Sequence, residues 1–194
     1  MLEIRWHARA GQGAITAAKV IAEAAMEEGK YIQAMPEYGP ERSGAPIRAY
    51  NRISTAPIRL HSQVTAPNLV VVVDATLLGT EDLLAGTDIA ATLLINTPQS
   101  PQAVREGLQI QGRRISTLDA THIALEEMGK NFPNTPLLGA LARVAGEISL
   151  EGVKDQVRRE LGKKVTPEIL ASNLRAVERG YQELRSEDTQ GVQP

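Results

Sequence analysis

The sequence predicts an α/β fold: a doubly wound, Rossmann-like mixed sheet with an antiparallel edge and a helical C-terminal region. Three observations predict it. A strand-like opening passes through a glycine turn into an alanine-rich helix, the aliphatic run Leu69–Val73 ends in Asp74, and every segment after Asn131 carries helical spacing. At 194 residues, with 42% hydrophobic and 23% charged, the chain is long enough for one domain with a real core. That domain is taken as residues 1–185, helical from about 135, with a flexible tail over 186–194.

Leu2 to Ala8 reads as the first strand, closed by Ala8-Arg9-Ala10-Gly11-Gln12-Gly13. The helix that follows runs from about Ala14 to Glu28, with Ile15, Ala18, Ala22, Ala25 and Met26 on one face and Gly29 as its stop. Tyr31 to Met35 reads as a second strand, followed by the loop Pro36 to Gly44. From Ala45 to Ile53, Ile47, Ala49, Asn51 and Ile53 alternate with Arg48, Tyr50 and Arg52. That period of two predicts a strand with one wet face at an antiparallel edge.

Leu69 to Asp74 is a continuous, largely β-branched run ending in an aspartate, of the kind found in a central parallel strand. Ala90–Ile95 and Arg114–Leu118 read as further strands, with a short helix between them begun by Ser100 as N-cap and Pro101 at the first position. A helix over Thr121–Met128 follows. Helix starts then stand at Thr135-Pro136, Ser149 and Thr166-Pro167. In the last helix Leu170, Leu174, Val177, Tyr181 and Leu184 form a stripe that suits either internal packing or a partner seam.

Composition narrows the function. The 21 basic residues are offset by 23 acidic ones, and one Phe, one Trp and four Tyr offer few stacking platforms, which argues against nucleic acid. No apolar run is long enough to span a bilayer and no signal peptide is visible, so a cytoplasmic, non-membrane protein is expected. Cysteine is absent, which removes disulfides, thiolate nucleophiles and cysteine-held iron–sulfur clusters. His7, His61 and His122 are scattered without metal-ligand spacing and read as ordinary core-edge or surface residues.

A glycine turn between strand and helix brings backbone N–H groups and a helix N-terminus towards an anion. The dinucleotide fingerprint G-x-G-x-x-G is only partly met, because its first two glycine places hold Ala8 and Ala10 and only Gly13 remains. Glu37 stands where a ribose-binding acid could, but without the glycines a free-standing NAD site is disfavoured. The segment Pro36 to Gly44 carries two prolines, two glycines, two glutamates and an arginine, a mixture suited to a stiff charged loop. It serves either as a docking loop or as an internal Glu–Arg hairpin.

Taken together, Arg9-Ala10-Gly11-Gln12-Gly13, Thr16-Ala17-Ala18 and Pro36-Glu37-Tyr38-Gly39-Pro40-Glu41-Arg42-Ser43-Gly44-Ala45-Pro46 resemble the gamma subunit of the 2-oxoacid:ferredoxin oxidoreductases. The resemblance continues through Asp119-Ala120-Thr121, Asn134-Thr135-Pro136-Leu137-Leu138-Gly139-Ala140 and Asn173 to Tyr181, nearly the whole chain. Two places depart from it: the family has glycine where this chain has Ala8 and Ala10. A related indolepyruvate enzyme pairs the loop arginine with two following glycines, and Arg42-Ser43-Gly44 fits the gamma pattern better.

The resemblance implies a multi-subunit enzyme that oxidatively decarboxylates a 2-oxoacid, pyruvate first, with coenzyme A and ferredoxin, or runs in reverse. It implies thiamine diphosphate with magnesium, and iron–sulfur clusters, on other subunits, with no cofactor held by this chain alone. The implied partners are alpha, beta and delta (ferredoxin-like) subunits, with ferredoxin as electron acceptor. No residue here is assigned a catalytic role or a metal. Arg9, Gly11, Gln12, Gly13 and Arg42 are the candidate contacts for coenzyme A phosphates, and Glu37, Tyr38, Gly39, Pro40, Glu41, Arg42, Ser43 and Gly44 are the candidate subunit-docking loop. The rivals are a stand-alone dinucleotide-binding oxidoreductase and a non-catalytic structural module.

Overall fold

The computed structural model describes residues 1–37 and 44–187. Its seven strands are β1 (Leu2–Arg9), β2 (Tyr31–Glu37), β3 (Pro46–Ser54), β4 (Leu69–Val72), β5 (Thr92–Asn96), β6 (Arg114–Leu118) and β7 (Arg185–Ser186). Its helices are α1 (Ala14–Glu27), α2 (Pro101–Leu108), α3 (Ala120–Met128), α4 (Asn134–Ala145), α5 (Leu150–Leu161) and α6 (Pro167–Gln182). The strands form one sheet in the order β2-β3-β1-β4-β5-β6-β7. β1, β4, β5 and β6 run parallel, while β3 and β7 are antiparallel to their neighbours.

β1 therefore lies at the reversal point of the winding. The chain first passes through α1 to the edge strand β2 and returns in β3 beside β1, then crosses to β4 on the other side. In doubly wound sheets the crevice outside the carboxyl ends of the strands at such a point is the usual ligand position. Here it falls between Arg9, the last residue of β1, and Asp74, just past β4.

One sheet face is covered by α1 and α3 to α6. The alanines of α1, including Ala14, Ala17, Ala18, Ala24 and Ala25, let that helix lie close to Ile4, Trp6 and Ala8 of β1. Trp6 is fully buried. Its indole N–H donates to Asn51 Oδ1 at 2.8 Å, and Asn51 Nδ2 donates to the Ala18 carbonyl at 2.8 Å, so a polar bridge joins β1, β3 and α1 inside the core. α4 and α6 cross at glycines: a methyl on Gly139 would run into the Val177 carbonyl oxygen, and one on Gly180 into that of Pro136.

The opposite face divides in two. Under β4 to β6 it is apolar, with Val70, Val72, Leu93, Ile95 and Ile115 packed against Leu83, Val104 and Ile110. Under β1 and β3 it is charged. Arg52 is only 2% exposed and donates to Glu3 Oε1 (2.6 Å), to Gln33 and to the carbonyls of Ser62 and Gln63. Arg5 donates to the Leu83 and Ala85 carbonyls and to His7 Nε2 (3.0 Å). Burial, and then the charges of Arg5 and Arg48, push the His7 pKa down to about 4.

Several expectations are corrected. The alternating strand is antiparallel but is not the outermost one, since β2 and β7 are the edges. Its supposedly wet face is largely buried, with Tyr50 at 5% and Arg52 at 2% exposure, because the carbonyls of Ser62 and Gln63 satisfy Arg52 and Glu81 pairs with the half-buried Arg48. Met26 is 50% exposed and leaves the inward face of α1. α4 begins at Asn134, one residue before the Thr-Pro pair. The stripe on α6 packs internally through Leu174, Val177 and Tyr181, joined by Leu184 just past the helix.

Beyond the last helix, Ser186 pairs with Ser116 across β6 and β7, and Glu187 forms an ion pair with Arg105 at 2.6 Å. Among the described residues no helix is long and apolar enough to cross a membrane.

Candidate functional site

The glycine turn is short and heavily cross-linked. Gly11 and Gly13 have φ of +96° and +75°, values that favour glycine. Gly13 is the N-cap of α1 and gives it no side-chain cap, so the first backbone N–H groups of the helix find no side chain in that role. Gln12 folds back over the turn: its Oε1 accepts the Arg9 N–H at 2.8 Å and its Nε2 donates to Asp74 Oδ2 at 2.6 Å. The Ala10 N–H donates to the Ala45 carbonyl at 2.8 Å, which ties the turn to the chain entering β3.

Arg9 belongs to the same knot. Its Nε donates to Thr76 Oγ1 at 3.0 Å and lies 3.5 Å from Asp74 Oδ2, and its Nη1 donates to the Gly44 carbonyl at 3.1 Å. Asp74 also accepts the Thr76 N–H and hydroxyl through Oδ1, at 2.9 and 2.6 Å. Burial works to raise the Asp74 pKa, but the hydrogen bonds from Thr76 and Gln12 and the charge of Arg9 hold it below the ordinary aspartate value. The crevice between β1 and β4 thus already contains a carboxylate bonded to an amide and to the Thr76 hydroxyl, and a guanidinium that reaches the carboxylate through that hydroxyl.

Of the candidate residues, the structure brings Arg9, Gln12 and Gly44 together at this crevice, while Gly11 and Gly13 on the same turn line the cavity beside it. Glu37 lies at the end of β2, where its carboxylate accepts the Tyr50 hydroxyl. Tyr38, Gly39, Pro40, Glu41, Arg42 and Ser43 lie outside the described residues. Asp74 and Thr76 were missed as site residues. The aspartate at the end of the buried run was visible in the sequence, but its partners lie on the glycine turn and are brought to it only by the pairing of β1 with β4.

Beside the turn a cavity of about 560 Å³ opens between α1, α4, α5 and α6, lined in part by Gly13, Val20, Phe132, Asn134, Leu161 and Ile169. Asn134 Oδ1 is buried there without a hydrogen-bond partner, and Phe132 and Ile169 are 46% and 48% exposed. Among the described residues no group of three histidine, aspartate or glutamate side chains is placed to hold a metal ion.

Residues 3–183 match the pyruvate ferredoxin/flavodoxin oxidoreductase family. The chain belongs to that family. It is 48% identical over 183 residues to the pyruvate synthase subunit PorC of Thermotoga maritima, a match that spans 94% of each chain. It is 46% identical over 168 residues to the pyruvate/ketoisovalerate oxidoreductases common subunit gamma of Pyrococcus abyssi, covering 84% of this chain and 91% of that one.

The crystal structure of the Thermotoga maritima pyruvate oxidoreductase subunit PORC superimposes with a TM-score of 0.85 over 96% of this chain and 98% of the other, at 43% identity. The 2-oxoglutarate:ferredoxin oxidoreductase of Magnetococcus marinus shares the fold at a TM-score of 0.78 and 21% identity. There it takes up 33% of a longer chain, against 99% of this one.

Proposed function

We propose that this chain is the gamma subunit of a cytoplasmic pyruvate:ferredoxin oxidoreductase. The enzyme converts a 2-oxoacid and coenzyme A to an acyl-CoA, carbon dioxide and reduced ferredoxin, or runs the reverse. The observation that carries the reading is the family match across residues 3–183, with relatives at more than 40% identity that are themselves named as subunits. Thiamine diphosphate with magnesium and iron–sulfur clusters, on alpha, beta and delta subunits, supply the decarboxylation and electron transfer. A chain with no cysteine supplies no thiolate to such clusters.

What this chain contributes is shape and charge. The glycine turn and the loop 37–44 are the proposed docking surface for the thiamine-binding subunits. The hydrogen bonds from Arg9 to Gly44 and from Ala10 to Ala45 support that pairing, because they hold the turn and the end of the loop as one unit. Arg9, Gly11, Gln12 and Gly13, with Arg42, are proposed to meet the phosphates of coenzyme A. The support is the α1 N-terminus without a side-chain cap, whose partial positive charge adds to that of the guanidinium.

A tagged copy co-expressed with its partners tests the assignment. Recovery with cysteine-rich, cluster-bearing subunits is the expected result. Recovery as a lone chain carrying a bound nucleotide supports the dinucleotide-binding rival instead.

A further inference from the structure

Thr76 lies outside the glycine turn, on the single 3-10 turn Ala75–Leu77 that follows β4, and its side chain is exposed. Its hydroxyl nevertheless joins two charged groups. It donates to Asp74 Oδ1 at 2.6 Å, which commits its proton and leaves an oxygen lone pair to accept Arg9 Nε at 3.0 Å. The Thr76 backbone N–H donates to the same carboxylate oxygen at 2.9 Å, so the hydroxyl is fixed before it meets the arginine.

The Arg9 guanidinium is then held at two points, by Thr76 on Nε and by the Gly44 carbonyl on Nη1, while its side chain stays 33% exposed. Asp74 stands 3.5 Å from Nε, close enough to attract the charge without taking the hydrogen bond. An arginine free to rotate loses side-chain entropy when it engages an anion, and one already oriented by its own fold has lost much of that beforehand.

We infer that Thr76 is a positioning residue for the coenzyme A-dependent reaction: its hydroxyl, set by Asp74, orients Arg9 towards the coenzyme A phosphates. The inference rests on the reading that Arg9 meets coenzyme A. Charge does not confuse the test, since Thr76→Val removes the hydroxyl while keeping shape and net charge, and Thr76→Ser keeps the hydroxyl.

In the assembled enzyme, Thr76→Val raises the KM for coenzyme A roughly three- to tenfold, the scale of immobilising one long side chain anew. The kcat and the KM for pyruvate stay unchanged, and Thr76→Ser restores the wild-type KM for coenzyme A. Arg9→Ala raises that KM as well, and adding Thr76→Val to it has no further effect. A raised KM in Arg9→Ala beside a normal one in Thr76→Val overturns the role of Thr76 alone. If neither variant moves the KM, the placing of coenzyme A on Arg9 falls. A rise for coenzyme A and pyruvate together, or no rescue by serine, marks general distortion and also overturns the inference.

Discussion

Gly13, the last residue of the glycine turn, touches Asn134, the first residue of α4: a Cβ on Gly13 would stand 2.7 Å from Asn134 Nδ2. Two segments that carry the family resemblance, far apart in sequence, meet at this contact. Gly13 is also held at φ +75°, so a side chain there is opposed by both the backbone and the neighbour. Gly13→Ala should lower the unfolding free energy by about 1–3 kcal/mol, combining left-handed strain with overpacking. Gly11, at φ +96° with open space around it, is the control. Urea denaturation should show a smaller loss for Gly11→Ala, and equal losses would mean the Asn134 contact contributes nothing.

The bridge from Trp6 through Asn51 to Ala18 makes a second prediction. Replacing Asn51 with Leu leaves an indole N–H and a helix carbonyl buried beside an apolar group. The indole N–H is then left without an acceptor, at a cost of about 1–3 kcal/mol, while the Ala18 carbonyl keeps its helix bond, so Asn51→Leu should destabilise the chain although it makes the core more apolar. A thermal melt that moves upward would contradict this account of the core.

His7 gives the chain a pH dependence of known sign. Its pKa falls from 6.5 to about 4 on folding, so between those values the unfolded chain binds more protons than the folded one. Stability from this residue is complete above pH 6.5 and is lost as pH falls towards 4, by about 3 kcal/mol in all. His7→Gln keeps an acceptor for Arg5 and does not titrate. Unfolding measured from pH 7 to pH 4 should be flatter in this variant by that amount, and parallel curves would show that His7 does not drive the loss.

Much of the fold was legible because its signals are local. The Leu69–Val73 run, the alanine face of α1 and the caps at Ser100, Ser149 and Thr166 declare their elements within a few residues. What the sequence hid depends on tertiary pairing. Arg48, Tyr50 and Arg52 look like a solvent face until Glu81, Glu37, Glu3 and the backbone carbonyls of Ser62 and Gln63 supply their partners. Asp74 looks like the ordinary end of a parallel strand until β4 is laid beside β1. The candidate site was legible as a glycine turn, but not as a turn whose arginine and glutamine are already engaged.

Reconstitution tests the central claim most directly. Ferredoxin reduction dependent on pyruvate and coenzyme A would be measured with the partner subunits alone, with this chain alone, and with the two combined. The account predicts no turnover by this chain by itself and restored activity when it is added to its partners. Unaided turnover by the isolated chain, or full activity of the partners without it, would contradict the assignment of docking and coenzyme A binding to this subunit.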